Sequence, residues 1–289
     1  MTMNYDFLLC GIRVRFEVPW ELKATNDTRP FLVESGNEFQ APDMTVQFHP
    51  TEDLSIPDRN GFWAIDSYYV FDGNKQWTYH CTYRGKPPYC CVEWDRNKPH
   101  VLNCTYRKGE EHQIEFTRNL INLMGLEMFL LNFGGLLLHS SVVNWKGKGI
   151  LFSAPSGTGK STQADLWERY KGSCTINGDR AGIRQADGVW NAYGLPFAGT
   201  SGIYRNESVP IKAIVLLKQA PVNRINPVTP MEAFRKLMPE CSARRWEPGF
   251  MDRLIGILSA LVQAVPVYLL ECRPDEEAVQ VLYDTIMKD

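Results

Sequence analysis

Two kinds of hydrophobic pattern divide this chain. Up to about residue 115, apolar and polar positions alternate in short runs: Ile12-Arg13-Val14-Arg15-Phe16-Glu17-Val18, Met44 to Phe48, and Trp77-Thr78-Tyr79-His80-Cys81-Thr82-Tyr83. A period of two puts one set of side chains on a buried face and the other toward water, which predicts strands. The turn-forming clusters Asp72-Gly73-Asn74, Gly85-Lys86-Pro87-Pro88 and Asp95-Arg96-Asn97 punctuate these runs, so a meander or small antiparallel sheet is expected. At Phe116 the period changes. Phe116, Leu120, Ile121, Met124, Met128 and Leu131 recur at steps of three and four, predicting an amphipathic helix that Gly134-Gly135 ends.

The chain then alternates. Leu136 to Val143 reads as a strand, 149–153 as a second, and 160–170 as a helix; short strands follow near 173–177, 181–186, 189–192 and 213–217. Helices are expected over 230–238 and 250–264, a strand at 267–270 and a terminal helix over 275–288. The expected architecture is an antiparallel β-rich domain over 1–115 followed by a mixed α/β domain over 116–289.

Composition narrows the function classes. The 289 residues carry a net charge of −2, so no basic field points to nucleic acid, and 8 Trp, 12 Tyr and 14 Phe argue for a folded chain. Met1 to Asp6 lacks the basic and apolar regions of a secretory leader. The most apolar stretch, Leu120 to Leu138, is interrupted by Asn122, Glu127, Asn132 and a glycine pair, so no membrane span is expected. A cytoplasmic location follows as the expectation. The eight cysteines form no C-x-x-C pair. Cys81, Cys90, Cys91 and Cys104 do cluster near His80 and His100, but their spacing fits no regular zinc pattern. Reduced, mostly buried thiols are therefore expected.

The densest chemical signal is Ala154-Pro155-Ser156-Gly157-Thr158-Gly159-Lys160-Ser161-Thr162, set between an apolar strand and a helix-like segment. This is the spacing of a phosphate-binding loop, with Ala154 in place of the first glycine. Gly157 and Gly159 allow backbone conformations that turn successive N–H groups toward phosphate oxygens, and the following helix adds its N-terminal partial charge. Lys160 would reach the β- and γ-phosphates and Ser161 would ligate Mg²⁺. An acidic partner stands close by: Asp179, in Ile176-Asn177-Gly178-Asp179-Arg180, ends a short apolar strand nineteen residues after Lys160. A carboxylate there could face the metal or an attacking hydroxyl. His139 begins the strand that precedes the loop, as either a core histidine or a site residue.

His139-Ser140-Ser141-Val142-Val143, Gly147-Lys148-Gly149-Ile150-Leu151, the phosphate loop and Asn177-Gly178-Asp179-Arg180 follow in the order found in HPr kinase/phosphorylase and its serine-kinase relatives. Over about residues 136–218 the chain resembles that family. The resemblance implies the P-loop fold shared with phosphoenolpyruvate carboxykinase, and ATP with Mg²⁺ on the loop. It implies Asp179 as the base that deprotonates a seryl hydroxyl, and His139 as a group assisting near the phosphate. The implied acceptor is a serine of a peptide, protein or small molecule, and such relatives often form homo-oligomers. Gly194 to Gly202 looks like the flexible segment that precedes the acceptor-facing loop. Members often carry two adjacent acids where this chain has Gly178-Asp179, so Glu207 is the candidate to supply the missing metal contact. Arg244-Arg245 is a candidate for touching phosphate or an acidic acceptor. The departure at Gly178 keeps a second reading open, a nucleotide-gated peptide- or partner-binding protein without phosphoryl transfer.

Overall fold

The computed structural model describes residues 2–33, 41–57, 60–71, 75–95, 97–197, 199–247 and 249–287. The turn cluster Asp72-Gly73-Asn74, Arg96 and Ala198 lie outside the described residues. The chain divides into two units, Met1–Leu126 and Glu127–Asp289.

The alternating runs fall in β2, β3 and β6 of the first unit's strands, which are β1 (Met3–Leu9), β2 (Ile12–Val18), β3 (Met44–Thr51), β4 (Phe62–Ile65), β5 (Tyr68–Phe71), β6 (Lys75–Cys81), β7 (Pro88–Asp95) and β8 (Val101–Arg107). They form one sheet in the order β1-β2-β3-β8-β7-β6-β5-β4. Along β2 the residues Ile12, Val14, Phe16 and Val18 are buried, while Arg13, Arg15 and Glu17 between them are partly exposed. Register carries that apolar face across the sheet: Phe16 opposes Val46, Val46 opposes Leu102, and Leu102 opposes Trp94.

The expectation of an antiparallel sheet is corrected in one respect, since β3 runs parallel to both β2 and β8. Parallel neighbours need a crossover rather than a tight turn. The segment between β2 and β3 supplies one, and the antiparallel run β4 to β7 supplies the other. Turn spacing cannot reveal which distant strands finally pair.

The cysteines are all free thiols, with only Cys174 less than buried. Burial pushes Cys81 and Cys90 up and Cys91 up to about 12, which keeps them protonated. Among the described residues, no group of three or more His, Cys, Asp or Glu side chains is arranged to hold a metal. Among the same residues no helix is long and apolar enough to cross a membrane.

The single helix expected after Phe116 is two, α1 (Thr117–Met124) and α2 (Leu126–Asn132). Gly125 causes the break: at φ 70° its N–H bonds to the carbonyls of Ile121 and Asn122 and closes α1.

In the second unit the elements are β9 (Gly135–Trp145), β10 (Lys148–Ser153), α3 (Lys160–Lys171), β11 (Cys174–Asn177), β12 (Arg180–Ala186), β13 (Val189–Tyr193), β14 (Ser208–Gln219), β15 (Arg224–Pro227), α4 (Pro230–Leu237), α5 (Phe250–Ala264), β16 (Val267–Cys272) and α6 (Glu276–Ile286). The central sheet runs β11-β9-β10-β14-β16-β15, with β10–β14 and β14–β16 parallel and the other pairs antiparallel. Two strands do double duty. The first half of β9 also pairs with β12, and the start of β14 pairs with β13. Helices α3 and α6 cover the central sheet through Ala164, Trp167, Val279 and Leu282, which join Ile150, Phe152, Val215 and Leu270 in one core. Their apolar burial, at about 25 cal/mol per Å², holds β10 and α3 rigidly at either end of the loop between them. Strand β15 carries no usable pattern because it is a short edge strand with mostly exposed residues.

Candidate active site

The loop from Ala154 to Gly159 joins the buried end of β10 to the N-terminus of α3. Gly157 has φ +80° and Gly159 φ +114°, and a Cβ built on either would meet nothing within 4 Å. The glycines are thus demanded by backbone conformation, and the face they present is open. The Gln219 side chain at the end of β14 braces the loop, donating to the carbonyls of Thr158 at 3.4 Å and Gly157 at 3.5 Å. Ser161 and Thr162 are exposed in the first turn of α3. An open cleft of about 400 Å³ lies beside the loop, lined by Gly157, Gly159, Thr162, Gln163, Gln219 and Arg273 among others.

Lys160 is only 7% exposed, and its ammonium donates to the carbonyls of Ala154 at 2.8 Å and Pro155 at 3.4 Å. Burial lowers its pKa from the ordinary lysine value, while the negative charges of Glu240 and then Asp179 oppose that shift. Two carboxylates therefore stand within the field of the loop lysine.

Register explains how Asp179 and His139 meet. In β9, His139 opposes Arg180 of β12, and the next residue, Ser140, opposes Ser153 at the end of β10. One strand thus borders both the acidic turn and the start of the loop. The Ser153 hydroxyl donates to the His139 carbonyl at 3.0 Å, and the Ser140 N–H donates to the Asp179 carbonyl at 3.1 Å. His139 Nε2 lies 3.8 Å from Asp179 Oδ1, and Arg180 Nε lies 3.6 Å from Asp179 Oδ2. About a third of the Asp179 side chain remains exposed (33%), as does 29% of His139.

Buried Asn177 shapes the turn. Its Oδ1 accepts from the backbone N–H of Asp179 and of Arg180, and its Nδ2 donates to the carbonyls of Leu195 and Phe197. The segment after β13 is thereby tied to the acidic turn. A Cβ at Gly178 would lie 2.4 Å from Ser201 Oγ, and one at Gly199 2.7 Å from Asp179 Cγ. The space that a second acid at position 178 would need is filled.

Glu240 is the residue that the sequence pattern did not single out. It closes the 3-10 turn Met238–Glu240 after α4, and its Oε2 lies 2.9 Å from His139 Nδ1. The backbone fixes this meeting: Cys241 bridges to Leu138, and the Ser242 N–H donates to the Leu137 carbonyl at 2.9 Å. Glu207 is placed differently. Its carboxylate is exposed and lies 3.8 Å from Arg205, while its backbone carbonyl accepts from Gly194 at 2.9 Å. Arg244 donates to Glu127 at 2.7 Å. Burial would raise the Glu127 carboxyl, but the charge and hydrogen bond of Arg244, with the charge of Arg180, hold it below its ordinary range. Arg245 is exposed.

The family described as SynChlorMet cassette protein ScmC matches residues 102–275, well over half of the chain. No curated protein matches the sequence. The HPr(Ser) kinase/phosphatase structure from Coxiella burnetii is similar at 11% identity and TM-score 0.33, over 53% of this chain and 97% of that one.

Proposed function

We propose that this chain, which belongs to the SynChlorMet cassette protein ScmC family, is an ATP-dependent kinase that phosphorylates a hydroxyl, that of a serine in a peptide, protein or small molecule. The observation that supports this reading is the meeting of Asp179 and His139, 3.8 Å apart, beside the lysine of a glycine loop whose face is open.

The open positions at Gly157 and Gly159 and the exposed Ser161 hydroxyl suit a triphosphate and its Mg²⁺. In this reading the backbone of Ala154 to Gly159, Lys160 and Thr162 hold the phosphates, and Ser161 and Asp179 serve the metal. Bound Mg²⁺·ATP supplies the phosphoryl group and divalent charge. Asp179, partly exposed, would accept the proton of the acceptor hydroxyl as that oxygen attacks the γ-phosphorus and the bond to the leaving ADP breaks. His139 orients the hydroxyl from the neighbouring strand. Lys160 exchanges its two loop carbonyls for phosphate oxygens and offsets the charge of the transferring group.

The test is incubation with γ-labelled ATP, Mg²⁺ and a panel of seryl peptides and proteins. Label on a seryl oxygen supports the kinase. Nucleotide binding with no label transferred favours a nucleotide-gated binding protein, the reading motivated by the filled space at Gly178.

A further inference from the structure

Glu240 makes a contact whose chemistry has a direction. An ionised carboxylate can only accept, so the 2.9 Å contact between Glu240 Oε2 and His139 Nδ1 requires the proton on Nδ1. In the neutral imidazole Nε2 then carries the lone pair, and it is Nε2 that lies 3.8 Å from Asp179 Oδ1. Which ring nitrogen is protonated is set by the hydrogen bond made at the other. The carboxylate is well held, because its side chain is only 12% exposed and the next two residues pair with β9 beside His139.

We propose that Glu240 is a positioning residue that locks His139 in the Nδ1–H tautomer and aims the Nε2 lone pair at the acceptor's side of Asp179. Two proton acceptors, Asp179 Oδ1 and His139 Nε2, then converge on one hydroxyl; this consequence rests on the kinase reading, whereas the tautomer does not. The second carboxylate of the site thus comes from position 240, reached through strand pairing, and not from position 178, where Ser201 occupies the space. Glu240 makes its hydrogen bond to the imidazole, and its charge also reaches Lys160.

The experiment is ¹⁵N NMR of the histidine rings, read where His139 is neutral, on wild type, Glu240→Ala and Glu240→Gln. The five histidines make the spectrum simple, and a His139→Gln variant assigns the signal. Wild type is expected to show a protonated Nδ1 and a pyridine-like Nε2. Glu240→Ala should shift the ring toward the Nε2–H form, and Glu240→Gln, whose amide oxygen still accepts, should largely restore Nδ1–H. An Nε2–H wild type, or a Glu240→Ala ring unchanged from wild type, overturns the proposal; the wild-type spectrum decides even if the alanine variant does not fold.

ATP titrations on the same samples separate the tautomer from the kinase reading. Glu240→Ala should cost no more than about 100-fold in ATP affinity, the upper end for a group that acts through another side chain. A larger loss assigns the carboxylate to the nucleotide or its metal and overturns the positioning role. Failure of wild type to bind ATP removes the kinase reading and leaves the tautomer result standing.

Discussion

Asn177 holds Asp179 in place: its buried Oδ1 accepts the Asp179 backbone N–H at 2.9 Å. The same side chain donates to Leu195 and Phe197 carbonyls, each at 3.0 Å, so one amide fixes both the acidic turn and the segment that lies against it. Asn177→Ala removes an acceptor and a donor from the interior and leaves several backbone groups unpaired. Stability should fall by about 2–4 kcal/mol, since each orphaned buried group costs about 1–3. Chemical denaturation measures this. Any activity should fall further than the unfolded fraction explains, because the Asp179 carboxylate loses its mount.

Gly178 tests the idea that space, not chemistry alone, sets the acid count. Gly178→Asp would drive a Cβ to within 2.4 Å of Ser201 Oγ. The single substitution should lower the melting temperature, by a cost of about 1–3 kcal/mol typical of overpacking. Adding Ser201→Gly should recover most of that loss. Thermal melts of the two single variants and the double variant check the coupling, and simple additivity would disprove it.

Gly159 separates backbone demand from packing demand. Its φ of +114° is strained for any L side chain, yet a Cβ there meets nothing within 4 Å. Gly159→Ala should cost about 1–2 kcal/mol of stability, seen in a thermal melt. It should also weaken ATP binding by about tenfold or more, because the methyl group projects into the face that would receive phosphate. Calorimetric titration with ATP measures the second effect.

The features legible in the sequence are local. Ile150 to Thr162 announces a strand, a loop and a helix through neighbouring residues, and the structure has them as β10, the loop and α3. The strand end carrying Asp179 was legible for the same reason. Glu240 was not, because it meets His139 across 101 residues of sequence, through a bridge between Leu138 and Cys241 that no local period encodes. The parallel placement of β3 was hidden likewise. The break at Gly125 was visible in principle, but the apolar spacing continues through it and masked the stop.

Glu127 and Arg244 give the second unit an acid-sensitive brace. The Glu127 carboxyl sits below its ordinary value of 4.5 because Arg244 and Arg180 outweigh the cost of burial. A folded pKa below the unfolded one means that stability from this pair is fully present above about pH 4.5 and is lost as pH falls through the folded value. Glu127→Gln should lower stability at neutral pH and flatten its decline on acidification. Denaturant titrations at neutral pH and near pH 3.5 check the sign.

Asp179 carries the central claim, that this site removes a proton from an acceptor hydroxyl. The direct measurement is a rapid-quench single turnover with γ-labelled ATP, comparing wild type with Asp179→Asn on a seryl acceptor that wild type phosphorylates. In Asp179→Asn transfer should slow by about 10²–10⁴-fold, the usual worth of a positioned general base, with ATP still bound. Transfer at the wild-type rate in Asp179→Asn would contradict it.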